Sequence, residues 1–299
     1  MGEHIPVKNE KKYEQAEEAF TEGDYAVALK VYQDIFEHDQ KQPNAVWGIA
    51  ECFHSLGQIG EAIAWYKRYL SYEPNEPEAL HMLAALGEGR APLRASDDYV
   101  KAHFDRFAED FDKQLLEELD YKAPDILVNT LKTQVGSPTG FLSILDAGCG
   151  TGLCGPKLKP YAARLDGVDI SREMLSFSRK LEVYDNLFEE ELTRHFETTE
   201  AQYDVVIAAD TLCYFGDLAL LFKLVGRILR EKGIFLFSVE ADEIGADFSL
   251  TQSGRYTHSR NYITTVANSV NLRNISVRSE TLRTEYGEAV IGDIWVLSK

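Results

Sequence analysis

The chain contains no apolar run of about 18 residues, the length a helix needs to span a bilayer, so neither a transmembrane segment nor a membrane partner is expected. The opening segment MGEHIPVKNEKKYEQ has no apolar core, which argues against a secretory signal. Met1 and Gly2 begin as a myristoylation site would, but Pro6 stands where that signal requires Ser or Thr. Cysteine is scarce. Cys52, Cys149, Cys154 and Cys213 form no zinc-type pair of pairs, so no metal is expected, and they read as reduced thiols of a cytoplasmic protein. Positive charge is in deficit: 31 Lys and Arg oppose 49 Asp and Glu, a formal net charge of −18. A chain this acidic repels phosphate backbones, which excludes nucleic acid as the expected partner or substrate. It suits a cationic ligand.

What is present is ordinary globular material, 44% apolar and 27% charged. At 299 residues it can form one large domain or two modest ones. An internal repeat comes first. Ala16, Gly23, Ala28 and Tyr32 recur 34 residues later as Ala50, Gly57, Ala62 and Tyr66, and Ala84 echoes Ala16 and Ala50 once more. That period is the tetratricopeptide one. Small Ala lets paired helices approach, Gly closes the first helix and Tyr fills the groove between them. Phe53 and Pro74 complete the pattern in the second unit, whereas Gln40 takes the Pro position in the first. The expectation is two repeats and a solvating helix from about Glu76 to Leu86; the alternative is an unrelated helical bundle. GEGRAPLRAS, with Gly87, Gly89 and Pro92, reads as a linker. Ser96 or Asp97 then caps a helix reaching about Glu118. Its Tyr99, Phe104, Phe107 and Phe111 form a core-facing stripe or, alternatively, a lid over a ligand with Tyr99 or Phe104 nearest it.

From Phe141 onward strands and helices alternate, which predicts a parallel sheet. FLSILDAG, RLDGVDI, YDVVIAAD and GIFLFSVE are strands, the last continuously apolar as a strand buried on both faces is. A further strand lies near Leu187. Helices follow from Ser171, over Leu218 to Leu229, and around Tyr262 to Val270. ISVRSETL and AVIGDIWVL, separated at Gly287, predict an antiparallel finish.

The motif LDAGCGTG ends the first of these strands, with Gly148, Gly150 and Gly152 opening a helix. Glycines there let the backbone approach a nucleoside where any Cβ would block it. Gly150 to Gly155 also satisfies the dinucleotide fingerprint GxGxxG, so a nicotinamide or flavin site is the competing reading. Asp146 at the strand end, in an LDxGxGxG arrangement similar to S-adenosylmethionine sites, and the intervening Gly148 favour the methyl donor. Asp169, ending the second strand, accepts ribose hydroxyls in either class.

Together, YVKAHFDRFAEDFDKQL, LDAGCGTGLCG, GVDISREML, AADTLCYFGDL, GIFLFSVE and SGRYTHS resemble, across nearly the whole chain, a bacterial family of predicted S-adenosylmethionine-dependent methyltransferases with fused tetratricopeptide repeats. The resemblance implies an α/β fold: a Rossmann-like class I methyltransferase domain over 96–299, its mixed sheet ending in an antiparallel strand, preceded by an all-α repeat domain over 1–88. It implies S-adenosylmethionine as cofactor. Gly148 and Gly150 would line its ribose and methionine portion, and Asp146 would anchor the loop through water or the methionine ammonium. Asp169 would bind the ribose hydroxyls, and Ile170 would lie against adenine. Asp210 would end its strand beside the transferable methyl, or merely cap a turn; Met174 would pack near the ligand or serve the core. Where the family has Asp-Leu facing the adenine amino group, this chain has Glu191-Leu192, within an EEEL run that offers three carboxylates.

Acceptor groups in such folds come from loops after the late strands, here Glu240 to Ser259. Arg255, Tyr256 and His258 of SGRYTHS are the catalytic candidates: Arg255 to clamp an anionic part of the acceptor, His258 to take its proton. Tyr214 is a further acceptor-side candidate, with core packing as the alternative. An ordinary surface turn is the alternative for SGRYTHS. The expected function is methylation of an unidentified acceptor, a small molecule or a tethered substrate, with the repeats binding a partner or self-associating. The competing reading is a non-catalytic S-adenosylmethionine-binding scaffold whose repeats recruit a protein.

Overall fold

The computed structural model of the chain describes residues 7–108, 111–113, 115, 119–242, 245–285 and 287–299. It divides into two compact units, one running to Ala91 and taking in Gln252–Gly254, the other comprising Pro92–Thr251 and Arg255–Lys299.

The first unit consists of helices α1 (Val7–Thr21), α2 (Tyr25–His38), α3 (Pro43–Ser55), α4 (Ile59–Tyr69) and α5 (Pro77–Ala85). The repeated small residues occupy the places where the helices touch: Ala16, Ala28, Ala50 and Ala62 are all completely buried. Gly23 and Gly57 end α1 and α3 with φ of +81° and +70°, the left-handed termination glycine adopts at no steric cost. Tyr32 and Tyr66 fill the core. α5 begins at Pro77 because Glu76 caps it, accepting from the Ala79 amide at 2.7 Å.

The second unit opens with α6 (Asp97–Phe107), capped by Ser96, which accepts from Tyr99 N at 3.2 Å. α7 is the single turn Phe111–Lys113; the rest of the helix expected to reach Glu118 lies largely outside the described residues. α8 (Ala123–Val135) was not anticipated; it buries Ala123, Leu127 and Leu131 at helical spacing. Then come β1 (Leu142–Ala147), α9 (Gly155–Leu158), β2 (Ala162–Asp169), α10 (Arg172–Lys180), β3 (Asn186–Glu189), α11 (Leu192–Thr198), β4 (Tyr203–Ala208), α12 (Ala219–Ile228), β5 (Leu229–Ala241), β6 (Phe248–Leu250), β7 (Tyr256–His258), α13 (Arg260–Ser269), β8 (Arg273–Glu285) and β9 (Glu288–Ser298).

β3, β2, β1, β4 and β5 lie side by side and parallel. β9 then adds antiparallel to β5, and β8 antiparallel to β9. This is the mixed sheet with an antiparallel finish that the sequence implied. α11, α12 and α13 cover one face with Phe196, Phe222 and Ile263, while α8 and α9 cover the other with Leu127, Leu131 and Leu158.

Two short strands were not foreseen. Glu240 pairs with Gly292 of β9 and also with Thr257 of β7. A strand has two edges, and β9 holds one of them along Ile234–Glu240. β4 and β7 therefore share the other edge in succession, and β7 continues the row beyond the carboxyl end of β4. Tyr256–His258 of SGRYTHS is thus brought onto the sheet, while Ser253 and Gly254 remain in a turn. Among the described residues no helix is long and apolar enough to cross a membrane.

Candidate functional site

The carboxyl ends of β1, β2 and β4 bring Asp146, Asp169 and Asp210 to one edge of the sheet, as parallel register requires. The glycine loop after β1 is fastened across this edge: Gly148 N and Cys149 N donate to Val168 O at 2.8 and 3.1 Å. Asp169 holds the loop from the other side. Its Oδ2 accepts from Gly150 N and its Oδ1 from Ser171 N, both at 2.8 Å. Each oxygen keeps a further lone pair for a ligand hydroxyl. Burial raises the Asp169 pKa against these amide hydrogen bonds. Ile170, the next residue, is half-buried.

Asp146 lies beneath the loop, 1% exposed. Its Oδ2 accepts from the Tyr184 hydroxyl at 2.7 Å. Burial pushes the Asp146 carboxyl up to about 7; the Tyr184 hydrogen bond works against that shift and Asp169 adds to it. Tyr184 carried no signal in the sequence, because it meets the glycine loop only through the fold.

The α6 region is tied to this edge at two points. Ser171 Oγ donates to Asp105 at 2.6 Å, and Thr151 Oγ1 donates to Asp112 at 2.5 Å. Phe104 packs edge-on against Tyr214 and Phe111, with ring centroids 5.4 and 5.8 Å away, while Tyr99 is buried in the core. Met174 is also core, its amide capped by Ser171. The α6 stripe serves the core through Tyr99 and reaches the site through Asp105 and Phe104.

The three carboxylates of EEEL take different paths. Glu189 is exposed, and Glu190 meets His195 Nδ1 at 2.8 Å. Glu191 caps α11, its Oε2 accepting from Arg194 N at 3.0 Å. Its Oε1 is buried without a hydrogen-bond partner, 3.8 Å from Arg94 Nη1. An unsatisfied carboxylate oxygen in a buried position is costly and marks a place for a donor.

At the end of β4, Asp210 adopts φ of +53°, a left-handed conformation Asp tolerates at some cost. Its Oδ1 accepts from Arg255 Nη2 at 2.6 Å, and its Oδ2 lies 3.4 Å from Arg283 Nη1. Arg255 Nε and Arg283 Nη2 both donate to Glu240 Oε1, at 2.5 and 2.7 Å, and Arg283 Nε donates to Glu285 at 2.6 Å. Arg255 also lies over the Tyr214 ring, 5.5 Å from its centroid. Burial opposes the Glu240 charge, but Arg255 and Arg283 outweigh it and hold that carboxyl below its usual range. Arg283 was not singled out from the sequence, since strand β8 alone gives no reason to bury an arginine.

Tyr256 and His258 are not gathered into this cluster. The Tyr256 hydroxyl donates to Pro92 O at 2.8 Å, and its ring is fully buried. His258 Nε2 meets Gly216 O at 3.1 Å with the ring 1% exposed, and burial lowers its pKa to about 4. Cys149, Cys154 and Cys213 are buried free thiols whose pKa values burial raises, which makes them poor nucleophiles.

Residues 145–237 match the methyltransferase domain family, and residues 19–86 match the tetratricopeptide repeat family. The chain is 38% identical over 109 residues to methyltransferase-like protein 27 of Homo sapiens, covering 34% of this chain and 44% of that one. It is 27% identical over 172 residues to the malonyl-(acyl-carrier protein) O-methyltransferase of Yersinia pestis, covering 56% of this chain and 61% of that one. It therefore spans about half the length of these curated relatives. Among solved structures, the N-methyltransferase NodS of Bradyrhizobium japonicum, in complex with S-adenosyl-L-homocysteine, aligns with a TM-score of 0.54 at 15% identity, over 67% of this chain and 98% of that one. At that identity the likeness is one of fold.

Proposed function

We propose that this chain, which carries a methyltransferase domain and tetratricopeptide repeats, is an S-adenosylmethionine-dependent methyltransferase. The observation that carries the proposal is the pairing of Asp169 with Gly150 N across the glycine loop, with Glu191 Oε1 at the next strand end meeting only the Arg94 guanidinium at 3.8 Å and no hydrogen-bond donor. Those two carboxylates match the two ends of a nucleoside: Asp169 the ribose hydroxyls, Glu191 the adenine amino group. Gly148 and Gly150 leave backbone rather than side chains facing the methionine portion, and Ile170 offers an apolar face to the base. S-adenosylmethionine supplies a methyl group already activated by its sulfonium.

The chain's own task is then to hold an acceptor in line and exclude water. Phe104 and Tyr214 supply an apolar wall, and Arg255 and Asp210 the polar groups beside it. Arg255 is committed to Asp210 and Glu240, so an anionic acceptor has to compete for it. The base role read for His258 is not retained: a ring held by Gly216 O and shut from solvent cannot meet an acceptor without rearrangement. Tyr256, bonded to Pro92 O, supports the strap that enters the domain.

The acceptor is a small molecule or a tethered substrate, a class that includes what the Yersinia relative's name describes. The repeats, over 1–88, bind a protein partner or a second copy, and the methyltransferase domain occupies the remainder from about residue 96. Buried free thiols suit a cytoplasmic setting. Incubation of the purified protein with methyl-labelled S-adenosylmethionine and size-fractionated cell extract tests the reading. Label transferred into a small-molecule or carrier-protein fraction supports it. Tight cofactor binding with no transfer into any fraction favours the scaffold reading instead.

A further inference from the structure

The charge cluster at the end of β4 carries an excess carboxylate, Glu285, at its part-exposed rim. Among the described residues, Asp210, Glu240 and Glu285 meet Arg255 and Arg283, so three carboxylates oppose two guanidiniums and one negative charge is left over. The side chains of Asp210, Glu240, Arg255 and Arg283 are 14, 10, 15 and 3% exposed, so solvent screens them poorly. The cluster adjoins the glycine loop. Thr211, next to Asp210, donates to Ala147 O at 3.2 Å and packs where a Gly148 side chain would stand. Asp169 and Asp112 also meet that loop, as does Asp146, whose charge burial disfavours, and no cation joins these carboxyls in the hydrogen bonds described above. The whole chain adds a field of the same sign, −18.

We propose that this cluster distinguishes the cationic methyl donor from its neutral product, so that S-adenosylmethionine binds more tightly than S-adenosylhomocysteine, with Asp210 and Glu285 creating the preference and Arg283 limiting it. The proposal rests on the cofactor reading above. The two ligands differ by one methyl and one positive charge. The pairings to Asp169 and Glu191 and the amino-acid charges are common to both, so an unbalanced carboxylate separates the two ligands through the sulfonium charge. Transfer of the methyl removes that charge, and the same cluster then favours release of the product.

Calorimetric titration of the full chain with S-adenosylmethionine and, separately, S-adenosylhomocysteine tests this. The parent binds the donor about ten-fold more tightly, the order expected for one unbalanced charge at an effective dielectric between water and protein interior. Glu285→Gln, at a side chain 32% exposed, brings the ratio toward unity and leaves the product's affinity within about two-fold. Asp210→Asn lowers the ratio further. Arg283→Gln raises it; if that variant does not fold, the first two decide. Added salt narrows the parent's ratio. An unchanged ratio in both Glu285→Gln and Asp210→Asn, with both ligands still bound, overturns the proposal and leaves the cofactor reading intact. Failure of the parent to bind either ligand overturns the cofactor reading itself.

Discussion

Thr211 occupies the space that a side chain on Gly148 would need. A Cβ added to Gly148 would lie 2.4 Å from both Thr211 Oγ1 and Thr211 Cγ2, and the residue's φ is +73°. Gly148→Ala therefore meets two obstacles, the left-handed backbone at about 1–2 kcal/mol and a steric overlap with Thr211. The variant is expected to lose S-adenosylmethionine binding and to melt lower than the parent. Adding Thr211→Gly removes the overlap but not the backbone cost, and so restores part of the melting temperature. Full parental stability in Gly148→Ala alone contradicts this geometry.

Asp169 holds Gly150 N, and in the proposed function it also accepts ligand hydroxyls. Asp169→Ala is expected to weaken S-adenosylmethionine binding by roughly 2 kcal/mol, about 30-fold, through lost charge-assisted hydrogen bonds. Asp169→Asn keeps one acceptor oxygen and should fall between parent and Ala. Calorimetry that gives all three the same affinity removes Asp169 from the site.

Asp146 should leave a signature in the pH dependence of stability. Its pKa rises from 3.8 in the unfolded chain to about 7 in the fold, chiefly through burial. Between these values the native state binds more protons than the unfolded state, so the contribution of Asp146 is full below pH 4 and is lost as the pH rises toward 7. His258 works in the opposite direction. Lowered by burial from 6.5 to about 4, it adds stability as the pH rises through that window. The two partly offset in the parent. Asp146→Asn keeps an acceptor for Tyr184 and removes one of them, so its stability relative to the parent should grow from pH 4 to pH 7, by up to about 1 kcal/mol per pH unit at the steepest. Denaturant melts across that range measure it, and parallel curves for the two proteins contradict a buried, protonated Asp146.

Much of this arrangement was legible in the sequence because local pattern encodes it. The apolar runs ending at Asp146, Asp169 and Asp210 define parallel strands, and parallel strands align their carboxyl ends. The 34-residue echo likewise specified which alanines pack, since each repeat carries its own helix contacts. Hidden features depend on long-range pairing. Tyr184 reaches Asp146 across 38 residues and Arg283 reaches Asp210 across 73, and neither has a local signature. SGRYTHS reads as a loop because β7 is three residues long and exists only by pairing with β5 on one side and the equally short β6 on the other. That misplacement made His258 look accessible when the pairing buries it.

The segment before α6 belongs to the second unit more firmly than its composition suggests. Pro92 O accepts from the Tyr256 hydroxyl, Leu93 O from Gly216 N and Asp217 N, and Ala95 N donates to Tyr214 O. A chain shortened to begin at Gly89 should therefore keep cofactor affinity within about two-fold, since nothing that meets the proposed nucleoside is removed. One beginning at Arg94 loses three of these four hydrogen bonds, each worth about 1 kcal/mol, and should melt several degrees lower. Equal melting temperatures for the two shortened chains contradict the strap. Loss of binding in the longer one would mean that the repeats contribute to the cofactor site.

Calorimetric titration of this 299-residue chain with S-adenosylmethionine, run beside the same titration with NADH, decides between the two readings of the glycine loop. Saturable one-to-one binding of S-adenosylmethionine in the micromolar range, about −8 kcal/mol, is expected, with no comparable heat from NADH. Tighter binding of NADH, or no binding of S-adenosylmethionine to folded protein, would contradict it and return the glycine loop to the dinucleotide reading.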